Sequence, residues 1–175
     1  KSLKNFLKKG NYILGSEVTN FEKSFANYCQ TKYGVGVNSG TDAILLALKS
    51  LDIGIGDEVI TTSHTAIATV AAIISSGAKP VLVDINPESY NMDKLSLLEA
   101  ITNKTKAIVL VHIYGNPADI IEISNIGKQN NIPIIEDCAQ ATGAIFNNKR
   151  VGSFGLLSCF SFYPTKNLGT LGDGG

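Results

Sequence analysis

Ser161-Phe-Tyr-Pro-Thr-Lys166-Asn-Leu-Gly-Thr-Leu-Gly-Asp-Gly-Gly175 is the stretch on which the reading of this chain turns. It follows the apolar run 154–160, so a buried strand gives way here to a glycine-rich loop, with one lysine at the changeover. A lysine held partly out of water at such a place has its pKa lowered, and its neutral amine becomes available as a nucleophile. The glycines beyond it let backbone approach a ligand closely. Taken alone, the same residues also describe a surface lysine in a turn. The rest of the chain has to decide between the two.

Working outward, strands and helices alternate from Val35 to Phe162. Apolar runs predict strands over 35–38, 58–62, 80–84, 106–112, 132–136 and 156–162. Between them, the periodicity predicts helices over 41–51, 65–75, 93–101 and 119–129, with Asp93 as an N-cap and Gly77 as a C-cap. Asn147-Asn148 predicts a tight turn. This alternation predicts a three-layer α/β domain with a mainly parallel central sheet, running as one domain over 1–175. Before it, Thr19 and Glu22 have capping-box spacing, and Phe21, Phe25 and Tyr28 mark one face of a helix ending near Gly34. Residues 10–15 read as an extended arm.

Composition narrows the function. The 175 residues are 44% apolar and 17% charged, and 15 basic side chains balance 15 acidic ones, which gives no electrostatic case for nucleic acid or an anionic membrane. Cys29, Cys138 and Cys159 are odd in number and lack metal-type spacing, as expected in a reducing cytoplasm. The apolar stretch 66–74 is too short to span a bilayer, and residues 1–10 lack the apolar core of a signal peptide.

Ligands of parallel sheets bind beyond the carboxyl ends of the strands. Asn38, Thr62, His112, Asp137 and Ser161 are all predicted at or near such ends. Ser39-Gly40-Thr41 lies between a strand and a helix start, where backbone amides bind phosphate; Ser39 serves equally as a simple cap. Asp137 is a carboxylate at a buried strand end, which calls for a cationic partner such as a protonated pyridine nitrogen, or for service as an N-cap. Glu136 points to the opposite side of the pleat and reads as structural. His64 has only His112 as a companion histidine, so no metal site is expected.

Together, SGTDA from Ser39, Ser63-His64-Thr65, EDCAQ from Glu136 and SFYPTKNLGTLGDGG from Ser161 resemble the DegT/DnrJ/StrS sugar aminotransferases. These are fold-type I pyridoxal-phosphate enzymes, and the resemblance runs over 11–175. It implies that Lys166 carries pyridoxal 5'-phosphate (PLP) and then shuttles a proton between the Cα of an amino donor and the cofactor. Asp137 would pair with the pyridinium, and Gln140 would lie near the phenolic oxygen. Ser39, Gly40, Thr41 and Ser161 would hold the phosphate. The family usually stacks an aromatic on the cofactor ring at the position of Ala66, and His64 is the nearest flat side chain here. His112 and Tyr114 match a family segment that could touch cofactor or substrate. Related dehydratases have His in place of the lysine, so Lys166 points to amino transfer.

The implied substrates are a nucleotide-linked keto-sugar and an amino-acid donor, glutamate in most of the family. The implied setting is amino-sugar biosynthesis for a polysaccharide or glycoside, by a cytoplasmic homodimer. Family members are about twice as long, so residues 1–175 are expected to be a truncated large domain, with an arm over 1–18 and the small C-terminal domain absent. On that expectation the isolated polypeptide holds PLP poorly and does not turn over. The alternative is a non-catalytic scaffold or interaction module of the same fold.

Overall fold

A computed structural model describes residues 2–10 and 12–175. The chain divides into two compact units, Lys1–Gly36 and Val37–Gly175.

The first unit contains helices α1 (Ser2–Lys9) and α2 (Ser16–Tyr28). Among the described residues of the expected arm 10–15, Gly10, Leu14 and Gly15 have positive φ, so the chain turns at these positions instead of extending; Asn11 lies outside the described residues. Gly15, at φ 98°, lets α2 begin at Ser16, so Thr19 falls inside the helix and its hydroxyl donates back to the Gly15 carbonyl at 3.3 Å. Glu22 does not close a capping box; its Oε1 accepts from the Gly36 amide at 2.8 Å. Phe21, Phe25 and Tyr28 do share one face, stacked in sequence with centroids 5.6 and 6.0 Å apart.

The second unit alternates as expected: α3 (Gly40–Ser50), β1 (Glu58–Thr62), α4 (Ile67–Ser76), β2 (Lys79–Val83), α5 (Lys94–Ala100), β3 (Thr105–Val111), α6 (Ile120–Asn130) and β4 (Ile134–Asp137). A hairpin of β5 (Ile145–Phe146) and β6 (Lys149–Arg150) precedes β7 (Leu157–Cys159). The ends follow local chemistry. Asp93 Oδ1 accepts from the Ser96 amide at 2.8 Å, Gly77 closes α4 at φ 91°, and Asn147 and Asn148 turn the hairpin at φ 45° and 61°.

Strand order in the main sheet is β2-β1-β3-β4-β7, and every neighbouring pair is parallel. The register sets Val111 beside Asp137 and Asp137 beside Cys159. On one face Ile44, Ala47 and Leu48 of α3 and Ala72 and Ile73 of α4 pack with Val59, Ala107, Val109, Ile135 and Cys159. A fully buried side chain such as Leu48 stabilises by about 1.5–3 kcal/mol. The alternate strand residues, including Ile108 and Ile134, turn to the other face. There Gly127 of α6 comes so close that an added Cβ would lie 2.9 Å from Ile134 Cδ1. Helices therefore cover both faces of a parallel sheet, the architecture the alternation predicts.

Residues 35–38 are the exception among the expected strands. Val37 is bridged to Gly175 by two backbone bonds, Val37 N–H to the Gly175 oxygen at 2.9 Å and Gly175 N–H to the Val37 oxygen at 3.0 Å. They do not join the main sheet.

Candidate active site

β4 ends in two buried carboxylates that the pleat sends to opposite faces. Asp137 faces α4, where the Thr69 hydroxyl donates to Oδ2 at 2.8 Å and the Ala139 amide donates to Oδ1 at 3.1 Å. Thr65 Oγ1 lies 2.9 Å from Thr69 Oγ1, extending the chain of hydroxyls toward the start of α4. Burial pushes the Asp137 carboxyl above the usual aspartate range, and the two hydrogen bonds with the charge of Lys166 only partly oppose this. A carboxylate this desolvated, with two donors, is suited to a cationic N–H partner. Burial, with the charge of Asp137, likewise pushes up the neighbouring Cys159 thiol.

Glu136 faces the other way. Its Oε2 accepts from His112 Nε2 at 3.0 Å and from the Gly152 amide at 2.8 Å, and its Oε1 accepts from the Phe154 and Gly155 amides at 2.8 and 2.7 Å. Burial alone would raise its pKa, but the bonds from His112, Gly155 and Gly152 outweigh that and hold it below the ordinary glutamate range. The donor atoms of His112, Glu136 and Cys138 lie within 4.8 Å of one another. Both His112 nitrogens and both Glu136 oxygens already serve in hydrogen bonds, so the trio is a structural cluster and not a metal centre.

Lys166 is half-buried at the end of a turn, with its amide donating to the Tyr163 carbonyl at 2.8 Å and Pro164 at the second position. The loop is tied back to β7's continuation. Thr170 donates from its amide and its hydroxyl to the Phe162 carbonyl at 2.7 and 2.9 Å, and the Phe162 amide donates to the Gly174 carbonyl at 2.8 Å. Gly169 is required here, because a Cβ would sit 2.7 Å from the Pro164 oxygen. The lysine is thus set by its loop near enough to Asp137 for its charge to be felt there.

The start of α3 lies against Ser161. A Cβ on Gly40 would lie 2.7 Å from Ser161 Cβ, and one on Gly175 would meet the Ser39 carbonyl at 2.4 Å. Ser39 caps the helix, its Oγ accepting from the Asp42 amide at 3.1 Å, while the Gly40 and Thr41 amides open the helix without intrahelical acceptors. Those two amides and the Ser161 hydroxyl form a cradle suited to an anion.

His64 is half-buried at the end of β1. Its Nε2 is 2.9 Å from the Tyr114 hydroxyl, and its ring is 6.0 Å from Tyr90 and 5.6 Å from Tyr114. Ala66 is exposed and forms the N-cap position of α4 without a side-chain bond. Gln140 Oε1 accepts from the Tyr114 amide at 2.8 Å. Sequence reasoning missed Thr69, Tyr90 and Asn91, and saw Thr65 only as part of the Ser63-His64-Thr65 stretch. The threonines carried a signal, since hydroxyls at i and i+4 share one helix face.

Along the sheet edge, then, the order is Tyr90, His64, Tyr114, Asp137 and finally Ser161 with Lys166, following strands β2, β1, β3, β4 and β7. The whole chain, residues 1–175, matches the model of the DegT/DnrJ/EryC1/StrS aminotransferase family. The chain belongs to this family. It is 53% identical over 162 residues to a dTDP-3-amino-3,6-dideoxy-alpha-D-galactopyranose transaminase of Aneurinibacillus thermoaerophilus, covering 93% of this chain and 45% of that protein. It superposes with a TM-score of 0.95 on DesV of S. venezuelae in complex with a ketimine intermediate, at 46% identity over 98% of this chain and 46% of the other. NtdA of Bacillus subtilis, solved with its cofactor PMP bound, gives a TM-score of 0.93 at 35% identity, over 98% of this chain and 39% of that one. The chain therefore spans about half the length of the family members it matches. A buried carboxylate short of donors, a half-buried lysine and an anion cradle at a helix start are the features a pyridoxal-type cofactor requires, so the residues fit the family's cofactor.

Proposed function

We propose that the protein is a PLP-dependent aminotransferase that moves an amino group, with glutamate as donor, onto a nucleotide-linked keto-sugar. The observation that carries this reading is the placement of a buried Asp137 at the end of β4, with Lys166 on the loop that follows the adjoining strand β7. The nucleotide-sugar substrate rests on the transaminases to which the chain is similar. Bound there, PLP supplies an electron sink for the bond broken at the donor's Cα.

The chain's own residues do the rest. The Gly40 and Thr41 amides and Ser161 hold the phosphate, with Ser39 shaping the helix start. Asp137 stays ionised opposite a cationic nitrogen, and Thr69 keeps the carboxylate turned. Lys166 takes the proton from the donor's Cα as a general base and returns it as an acid, a role worth about 10²–10⁴-fold in rate. Gln140 and His64 stand on the ring side, with His64 in place of the family's usual aromatic and Ala66 leaving room for it. Three buried cysteines support a cytoplasmic setting, and no helix of the described residues is long and apolar enough to cross a membrane. Exposed Tyr12, Ile13 and Leu14 support an arm that packs on a second copy in a homodimer. Since relatives are about twice as long, residues 1–175 tested alone are read as a truncated large domain that keeps the scaffold without turnover.

The test is a titration of the protein with PLP, followed by borohydride reduction and peptide mapping. A visible band that reduction fixes onto Lys166, absent in Lys166→Ala, is expected, together with amino transfer to a nucleotide-linked 3-keto-sugar by the protein carrying its full family length. Fixation on another lysine would reject the assignment.

A further inference from the structure

The buried pair His112–Glu136, on the face turned away from Asp137, has no part in the chemistry proposed above. Its hydrogen bonds settle where its protons are. The Ala118 amide donates to His112 Nδ1 at 3.0 Å, so Nδ1 carries no proton and Nε2 is the nitrogen that donates to Glu136. Gly152, Phe154 and Gly155 supply three more donors, and the four together occupy both Glu136 oxygens. A line of fixed polarity therefore runs from the loop before β7, through Glu136 and His112, to Ala118.

His112 and Ala118 are the two ends of one turn. Inside it, Tyr114 stands at φ 56°, its amide donating to Gln140 Oε1 and its hydroxyl meeting His64 Nε2. Because an amide N–H only donates, Gln140 must face it with oxygen, and its NH₂ is the end left to serve as a donor. We infer that His112 is a positioning residue: by accepting from the Ala118 amide it holds the Tyr114 turn, and through it sets Gln140 and His64 on the cofactor side, while Glu136 anchors the imidazole in the tautomer that leaves Nδ1 as the acceptor. This rests on the PLP reading above. Asn91 braces the same turn from the other side, accepting from the Ile113 amide at 3.2 Å and donating to the Asn116 and Pro117 carbonyls at 3.2 and 3.3 Å. Changes at position 112 should therefore shift the turn without unfolding it.

Two substitutions separate the relay from packing. In His112→Gln, the side-chain NH₂ replaces the donor to Glu136 and the acceptor for Ala118 is lost. In His112→Asn, the side-chain oxygen replaces the acceptor for Ala118 and the donor to Glu136 is lost. Residues 1–175 contain two histidines, so in either variant of this polypeptide His64 is the one left, and its imidazole ¹⁵N resonances read the turn directly. His112→Gln is expected to shift those resonances, move the visible band of the PLP-bound protein and weaken PLP binding by about tenfold or more. His112→Asn is expected to lower the melting temperature while keeping the His64 resonances and holding PLP affinity within about threefold. Equal His64 spectra in the two variants, or losses of PLP affinity that simply follow melting temperature, would reduce the pair to a structural role and overturn the inference. Failure of the wild-type protein of full family length to bind PLP would reject the proposed function instead, while the His64 spectrum of cofactor-free residues 1–175 still decides whether the relay exists.

Discussion

Glu136 and Asp137 are consecutive buried carboxylates on one strand, and their surroundings drive them in opposite directions. Glu136 collects one imidazole and three backbone donors, enough to overcome burial and keep it readily ionised. Asp137 has one hydroxyl and one amide, and burial wins. The difference teaches how to tell a structural charge from one reserved for a ligand. The first is saturated by its own chain, and the second is left short of a cation.

The largest effect expected from this contrast is on stability. In Glu136→Gln, either amide orientation sets an NH₂ against two donors, so urea unfolding should show a loss of about 2–6 kcal/mol, the scale for leaving two buried donors unsatisfied. A loss under about 1 kcal/mol would mean that Glu136 is not the hub described. In the protein carrying its full family length, Asp137→Asn should act on function instead, retaining PLP while turnover falls at least about a hundredfold, or about 2.7 kcal/mol. Undiminished turnover would place the pyridinium partner elsewhere. Gly40→Ala tests the far end of the same ligand: its Cβ would press on Ser161, and PLP affinity should drop about tenfold.

The smallest effect concerns pH, measured on the protein without PLP. Asp137 has a raised folded pKa, so its contribution to stability is present below the unfolded aspartate pKa and is lost as pH rises through the folded one. Glu136 has a lowered folded pKa, so its contribution is present above the unfolded glutamate pKa and is lost as pH falls through the folded one. At pH 7, cofactor-free Asp137→Asn should match or exceed the wild-type melting temperature. Its stability should also decline less than the wild type's between about pH 4 and pH 7. A clear drop in that variant at neutral pH would break the contrast.

By itself, the sequence determined what depends on near neighbours. Asp93, Gly77 and the Asn147-Asn148 turn announce element ends because caps and tight turns are satisfied within a few residues. The alternation of strand and helix dictated a parallel sheet, and a parallel sheet gathers His112, Asp137 and Ser161 at one edge. Local patterns misled where a distant group took the partner. Glu22 has capping-box spacing from Thr19 but is held by the Gly36 amide, and residues 35–38 read as a strand although Val37 is bridged to Gly175 and not to the sheet. The donors that saturate Glu136, the Thr69 hydroxyl on Asp137 and the His64–Tyr114 contact all join residues far apart in the chain. Only the tertiary structure decided these, because hydrogen bonding and desolvation depend on distance in space, which spacing along the chain does not encode.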